Sequence, residues 1–279
     1  MESKREHNVV LQISAYLVMI GFTVLTIGPL LWLSYSSFKP HADIVRDIFS
    51  LPTQFFGENY TKAWQLGNMG IYSLNSVFFS ITATLFTTLF ALTSGYGIAK
   101  FGYKISGPIY VFYMLGLLLP VNAILVPLFV METKIGIDNT RIGVLLPYIA
   151  FGLPFLVFLA TSFIKGLPKE LEEAAIIDGA GYMGVFWHVI LPVSRPVVAT
   201  MLIFRFLGNW NEFAMMFVLT SKTALRTLPV GINAFAGGMT RDYGMQFAAL
   251  VIGTLPIIIF YVFFHKQIEQ GFSTGALKE

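Results

Sequence analysis

The sequence predicts an all-α polytopic membrane protein with six transmembrane helices. Two observations carry that prediction. The 279 residues are 56% hydrophobic and only 12% charged, with a mean hydropathy of +0.71, whereas a soluble domain carries about 25% charged residues. The apolar residues also gather into six long runs, at 11–33, 71–99, 106–130, 142–163, 197–219 and 247–264. A hydrocarbon core of about 30 Å takes about 20 helical residues to cross. Backbone groups in lipid must bond within their own segment, so runs of this length are helices.

Taken in order, the first five runs reach spanning length outright, and the sixth does so when 243–246 joins it. The first is too long for the apolar region of a secretion signal and lacks a small-residue cleavage site, so no cleavable signal is expected. Pro29, Pro120, Pro127, Pro147, Pro154 and Pro256 fall in or beside the runs. Kinks of this kind are tolerated in membrane helices. An even number of spans puts both termini on one side. Lysine and arginine are almost evenly split between the two sides, and the charged MESKREH segment before the first run places the N-terminus inside.

That layout gives a single membrane domain over 1–279, with outer loops at 39–70 and 221–244 and a cytoplasmic loop at 165–196. The Asn59-Tyr60-Thr61 triplet matches a glycosylation sequon, which matters only in a eukaryotic secretory pathway.

The inner loop departs most from the rest. Glu170, Glu172, Glu173 and Asp178 all fall in it, between two apolar runs. Pro168 suits a first helical turn, and the glutamates that follow favour the positive end of the helix dipole. Gly179 and Gly181 stop this helix, with Gly179 at a bend where only glycine adopts φ > 0 freely. A second short segment, 182–190, ends at Leu191-Pro192. Isolated helices this short are marginal in water and need a surface to dock on. Lipid headgroups are one such surface, but an interfacial helix carries basic residues on its polar face and this one is acidic. Docking on another protein fits better.

At this point a resemblance enters. Glu173-Ala174-Ala175, then Gly179, then Val189-Ile190-Leu191-Pro192 resembles the EAA motif of ATP-binding-cassette importer permeases, with Val189 where the family often has isoleucine. Ser37-Phe38-Lys39-Pro40, Trp210-Asn211-Glu212-Phe213 and the tail from Gly271 to Lys278 are similar to the MalG type of the carbohydrate-importing branch. The likeness covers nearly the whole chain.

It implies the type I importer permease fold and a place in a bacterial cytoplasmic (inner) membrane, with both termini cytoplasmic. Glu172, Glu173, Ala174, Ala175, Asp178, Gly179, Leu191 and Pro192 would then form coupling helices in a cleft of a cytoplasmic ATPase, and Gly275, Ala276 and Lys278 would reach the same ATPase. The implied partners are a second, different permease, two ATPase subunits and an extracytoplasmic solute-binding protein. The implied cargo is a carbohydrate, an oligosaccharide foremost.

Several other chemistries are excluded or weak. There is no cysteine, so disulfides and thiolate sites are absent. His7, His41, His188 and His265 are too scattered for a metal pattern. The net charge of +3 is small and its basic residues are dispersed, which argues against nucleic acid. Gly179-Ala180-Gly181-Tyr182-Met183-Gly184 fits G-x-G-x-x-G, but no buried strand precedes it and no acidic residue follows at the required distance. No Walker A sequence occurs, so ATP and its magnesium would belong to a partner and the chain would bind no cofactor itself. No catalytic residue or metal ligand is assigned.

The fifth run holds the costly polar residues. Arg205, Asn209 and Glu212 have spacings that share one helix face, with Asn211 beside them. Arginine near a span centre costs roughly 2.5–3.5 kcal/mol on insertion scales, so such residues face a bundle interior or a wet path. Two readings stay open, an interhelical clamp or a wall of the substrate path. Asn122, between Pro120 and Pro127, is a second path candidate, because a broken helix there would free carbonyls to line a cavity. The alternatives to a sugar importer are an importer of another solute such as glycerol phosphate, or a stand-alone secondary transporter. A stand-alone transporter would leave the acidic loop unexplained. A polytopic membrane enzyme would need a reactive cluster near one face, and none is visible.

Overall fold

The computed structural model describes the backbone of residues 2–236 and 242–276 and the side chains within 12–235 and 242–266. All regular elements among them are helical. The chain forms two compact units, one of Met1–Met69 with Ile232–Leu255 and one of Gly70–Gly231 with Pro256–Glu279.

The first unit contains α1 (Glu2–Ser36), α2 (His41–Arg46) and α3 (Glu58–Gln65). The apolar stretch of α1, Gln12–Ser36, leaves its spanning window unburied within the chain. Leu17, Val18 and Leu25 are all exposed on it, a surface suited to lipid or a second subunit. The segment 39–70 is tightly knit. Lys39 is 1% exposed, and its Nζ donates to Asp47 O at 2.8 Å, Ser50 O at 2.9 Å and Ser50 Oγ at 2.9 Å. A buried ammonium needs such acceptors to offset its lost hydration. Asn59 is also buried and donates from Nδ2 to the Ser37 and Lys39 carbonyls, both at 2.8 Å. The sequon asparagine is therefore a structural tie. Phe38 stacks on Phe55 with centroids 4.2 Å apart.

The second unit is built on α4 (Met69–Lys100), α5 (Ser106–Gly116), α6 (Val121–Ile135) and α7 (Arg141–Lys165). After these come α8 (Glu170–Ile177), α9 (Tyr182–Val185), α10 (Leu191–Val193), α11 (Arg195–Trp210) and α12 (Ala214–Leu219). One apolar core joins Leu92 and Tyr96 of α4 to Leu156 and Ala160 of α7, and to Val185, Phe186 and Ile190 of the 165–196 loop. A second joins Phe79 and Ala83 of α4 to Val144 and Tyr148 of α7 and to Met215 and Met216 of α12. Small residues set the α4–α7 approach: a Cβ on Gly95 would lie 2.7 Å from Ala160 Cβ. The chain closes with α13 (Leu228–Ala236), which lies within the segment 221–244, and α14 (Tyr243–Ala276).

Four unbroken helices are long and apolar enough to cross a membrane, and the number among the described residues rises to as many as 6 if each of two bent pairs is a single span. The all-α, six-span fold is as expected. The pairs show where the spans break. The third bends by 102° between α5 and α6, with Pro120 extended at the start of α6, since a proline cannot continue the preceding helix.

The fifth run is not one helix over 197–219. It ends at Trp210 and restarts at Ala214. Glu212 Oε1 caps the new start by accepting from the Met215 N–H at 2.6 Å. Polar side chains that bond nearby backbone compete with helix continuation. At its other end α11 follows α9 and α10 after a bend of 77°.

The second short helix of the 165–196 loop also differs from expectation. It passes through a π-turn at Phe186–Ile190 and on through Pro192 to Val193. Pro192 lacks an N–H and crowds the carbonyl four residues back, and the wider π-turn relieves that crowding.

Candidate coupling loop and translocation path

The 165–196 loop begins where α7 ends at Lys165. Helix α8 carries Glu170, Glu172 and Glu173 in its first turn, where they complement unsatisfied backbone N–H groups. It stops at Gly179, whose φ is +87°, and the Ala180 N–H turns back to the Ala175 carbonyl at 2.9 Å. This is a glycine-terminated helix end of the common left-handed kind. Gly179 sits at the expected bend between the two short helices.

The loop's predicted residues divide into two sets. Glu173, Ala174, Asp178, Gly179 and Pro192 are exposed, Ala175 and Leu191 are half-buried, and Ile176, Ile177, Tyr182 and Met183 add exposed apolar surface around them. The exposed surface of the loop is thus acidic and apolar. Glu172 instead turns inward. Its Oε1 lies 2.8 Å from Lys100 Nζ, with the side chains 17% and 9% exposed. That oxygen has no hydrogen-bond partner of good angle, so the contact is an ion pair by distance. Lys100 was not singled out by sequence. The available clue was its place as a lone cation in the last turn of the second span.

The fifth-span residues do not form one stripe, because α11 stops before Asn211 and Glu212. Half-buried Arg205 donates from Nη2 to the Tyr148 carbonyl of α7. Gly152 makes room for it, since a Cβ there would strike Arg205 Nε and come within 2.7 Å of Thr87 Cγ2. Asn209 is 3% exposed and donates from Nδ2 to Thr84 Oγ1 of α4 at 3.1 Å. Asn211 is exposed and donates to its own Leu207 carbonyl at 2.9 Å. Glu212 is half-buried and caps α12.

Asn122 is exposed in the first turn of α6, just past the break, and none of the described contacts brings it to Arg205 or Asn209. Thr84 and Tyr148 join the constellation as partners that spacing could not reveal. Among the described residues no group of three or more His, Asp or Glu is placed to hold a metal. Gly275 and Ala276 are described by backbone alone, and Lys278 lies outside the described residues.

A family model described as the binding-protein-dependent transport system inner membrane component matches residues 87–274, a range that takes in both the loop and the fifth run. The chain belongs to this family of permeases. The diacetylchitobiose uptake system permease protein NgcG of Streptomyces coelicolor is 38% identical, over 95% of this chain and 88% of its own length. The multiple sugar-binding transport system permease protein MsmG of Streptococcus mutans is 32% identical, over 94% and 96%. A crystal structure of a bacterial ABC transporter involved in import of the acidic polysaccharide alginate contains a chain of the same fold. It has a TM-score of 0.83 at 19% identity and covers 94% of this permease and 97% of that chain. The permease is thus an inner-membrane component with several spanning helices, serving binding-protein-dependent import.

Proposed function

We propose that this permease forms one half of the membrane pore of an importer for a carbohydrate, an oligosaccharide foremost. It works beside a second, different permease. Two cytoplasmic ATPase subunits consume ATP with magnesium, and an extracytoplasmic solute-binding protein delivers the sugar. The observation that carries the reading is the 38% identity over 95% of the chain with a diacetylchitobiose uptake permease. Arabinooligosaccharide permeases among the relatives point the same way, at 30% identity in Halalkalibacterium halodurans.

In this reading both termini and the 165–196 loop face the cytoplasm. Glu173, Ala174, Ala175, Asp178, Gly179, Leu191 and Pro192 dock in the ATPase, with Glu172 shaping that surface from behind. The tail residues Gly275, Ala276 and Lys278 add to the same contact. Closure of the ATPases moves the loop, and the pore turns outward to receive the sugar. Arg205, Asn209, Asn211, Glu212 and Asn122 border the path, where amide, guanidinium and carboxylate groups can bond sugar hydroxyls. The permease carries out no chemistry of its own.

The test is the purified complex of both permeases and the ATPases in proteoliposomes with its binding protein. Chito- and arabino-oligosaccharides are expected to stimulate ATP hydrolysis and to accumulate inside. Stimulation by glycerol phosphate and by no sugar assigns a different solute. Sugar uptake that needs no ATP ends the importer reading.

A further inference from the structure

We infer that Lys100 and Tyr96, one turn apart on α4, are positioning residues that tie the inner loop to the second span and carry the loop's movement into it. The inference rests on the proposed coupling role of that loop.

The geometry is specific. Lys100 Nζ pairs with Glu172 Oε1 at 2.8 Å and reaches the Leu167 carbonyl at 3.4 Å. It therefore holds both the lead-in to α8 and its first turn. Tyr96 is 5% exposed, and its hydroxyl donates to the Tyr182 carbonyl at 3.4 Å, just past the glycine bend. The two residues lie four apart and so share one face of α4. That single face grips the loop on both sides of Gly179.

Aromatic packing closes the gap between the two grips. Tyr96 sits 5.3 Å from Phe101 and 5.6 Å from Phe186, and Phe101 sits 5.0 Å from Tyr182, centroid to centroid. The loop is covalently joined only to α7 and α11, and these contacts add α4 as a third attachment. Thr84 lies farther along α4, about 24 Å from Lys100 at 1.5 Å per residue, and accepts from Asn209 of α11. A rigid helix with a grip at the loop and a hydrogen bond among the polar fifth-span residues is a physical link between the two regions.

The pairing also explains adjacent glutamates that point apart. Glu173 is exposed and available to a partner, whereas Glu172 is held against its own chain. A largely buried ion pair is costly to break from one side, because the other charge is left without its counter-ion.

The experiment uses the full complex with its loaded binding protein and reads ATPase stimulation and sugar uptake per complex recovered. Lys100→Ala is expected to lower stimulation about fivefold, with Glu172→Ala close behind, and the double variant is expected to fall no further than the worse single one. Lys100→Arg keeps the charge and is expected to retain most of the stimulation. Tyr96→Phe keeps the ring and is expected to lose part of it, with the complex still assembled. Full stimulation in Lys100→Ala overturns the inference, as do losses that multiply in the double variant. Loss explained wholly by less complex in every variant also overturns it, since the residues would then serve assembly alone. Wild-type complex with no stimulation at all would instead point to failure of the importer reading.

Discussion

Asn209 of α11 donates from Nδ2 to Thr84 Oγ1 of α4 across 3.1 Å, with both residues under 5% exposed. The pair is a side-chain hydrogen bond between two membrane helices in the run where sequence left clamp and path open. Losing it strands a buried hydroxyl, which costs about 1–3 kcal/mol. Asn209→Ala is therefore expected to lower both the thermal stability of the complex and uptake. Asn211 instead donates back to the Leu207 carbonyl of the helix it follows and is exposed. Asn211→Ala is expected to reduce uptake while the melting temperature holds. Uptake by Asn211→Ala that is unchanged, or that falls only with the amount of complex, removes Asn211 from the path.

Gly152 is expected to be intolerant of any side chain. A Cβ there would overlap Nε of Arg205, whose Nη2 donates to the Tyr148 carbonyl. Displacing the guanidinium would cost roughly 1–3 kcal/mol, as overpacking does. Gly152→Ala should lower the melting temperature of the detergent-purified complex, and Gly152→Ala with Arg205→Ala should recover part of the loss. A double variant worse than Gly152→Ala alone would show that Arg205 is not what the methyl meets.

Gly179 is different, because space is open around it. Apart from its chain neighbours, no heavy atom lies within 4 Å of a Cβ built there, and the constraint is its φ of +87°. The penalty is backbone strain of about 1–2 kcal/mol for most side chains, less for asparagine and aspartate. Gly179→Val is thus expected to cut co-purified ATPase and uptake most and Gly179→Asn least. Gly179→Asp should fall between them, since it also adds charge beside Asp178. Membrane insertion of all three should be normal. Equal uptake by all three removes the bend from coupling.

The residues that sequence revealed and those it hid differ in kind. Apolar runs and the glycine break are local properties, so the six spans and the bend at Gly179 could be read directly. The end of α11 at Trp210 could not, because the fifth run stays apolar enough to pass for one helix and only the cap from Glu212 to Met215 shows the restart. The π-turn before Pro192 was equally hidden, since a proline at that place reads as a stop. Lys39 and Lys100 look like ordinary loop-end cations in sequence. Their burial depends on acceptors 8 and 11 residues away for Lys39 and on a glutamate in another helix for Lys100, which no spacing rule predicts. The chemistry of the fifth-run residues was legible, but their partners Thr84 and Tyr148 were not.

Lys39 gives a test of both the outer loop and its side of the membrane. Its Nζ meets three acceptors that bring the chain at 47–50 back onto the end of the first span. Hydrogen bonds to a charged group contribute about 1.5–3 kcal/mol each way they are lost. Lys39→Met keeps the length of the side chain and removes the donors, so it should loosen this fold-back while the spans remain. Arg46, at the end of α2, is exposed and offers a trypsin site inside the loop. In cells stripped of wall and outer membrane, added trypsin is expected to cut Lys39→Met at Arg46 at least several times faster than wild type. Replacing Arg46 with glutamine in the same background should abolish that fragment. No cleavage at Arg46 from outside in either protein, with cleavage appearing only in inverted vesicles, would place 39–70 in the cytoplasm and reverse the topology. Equal rates in Lys39→Met and wild type, both from outside, would keep the topology and deny Lys39 its role in closing the loop.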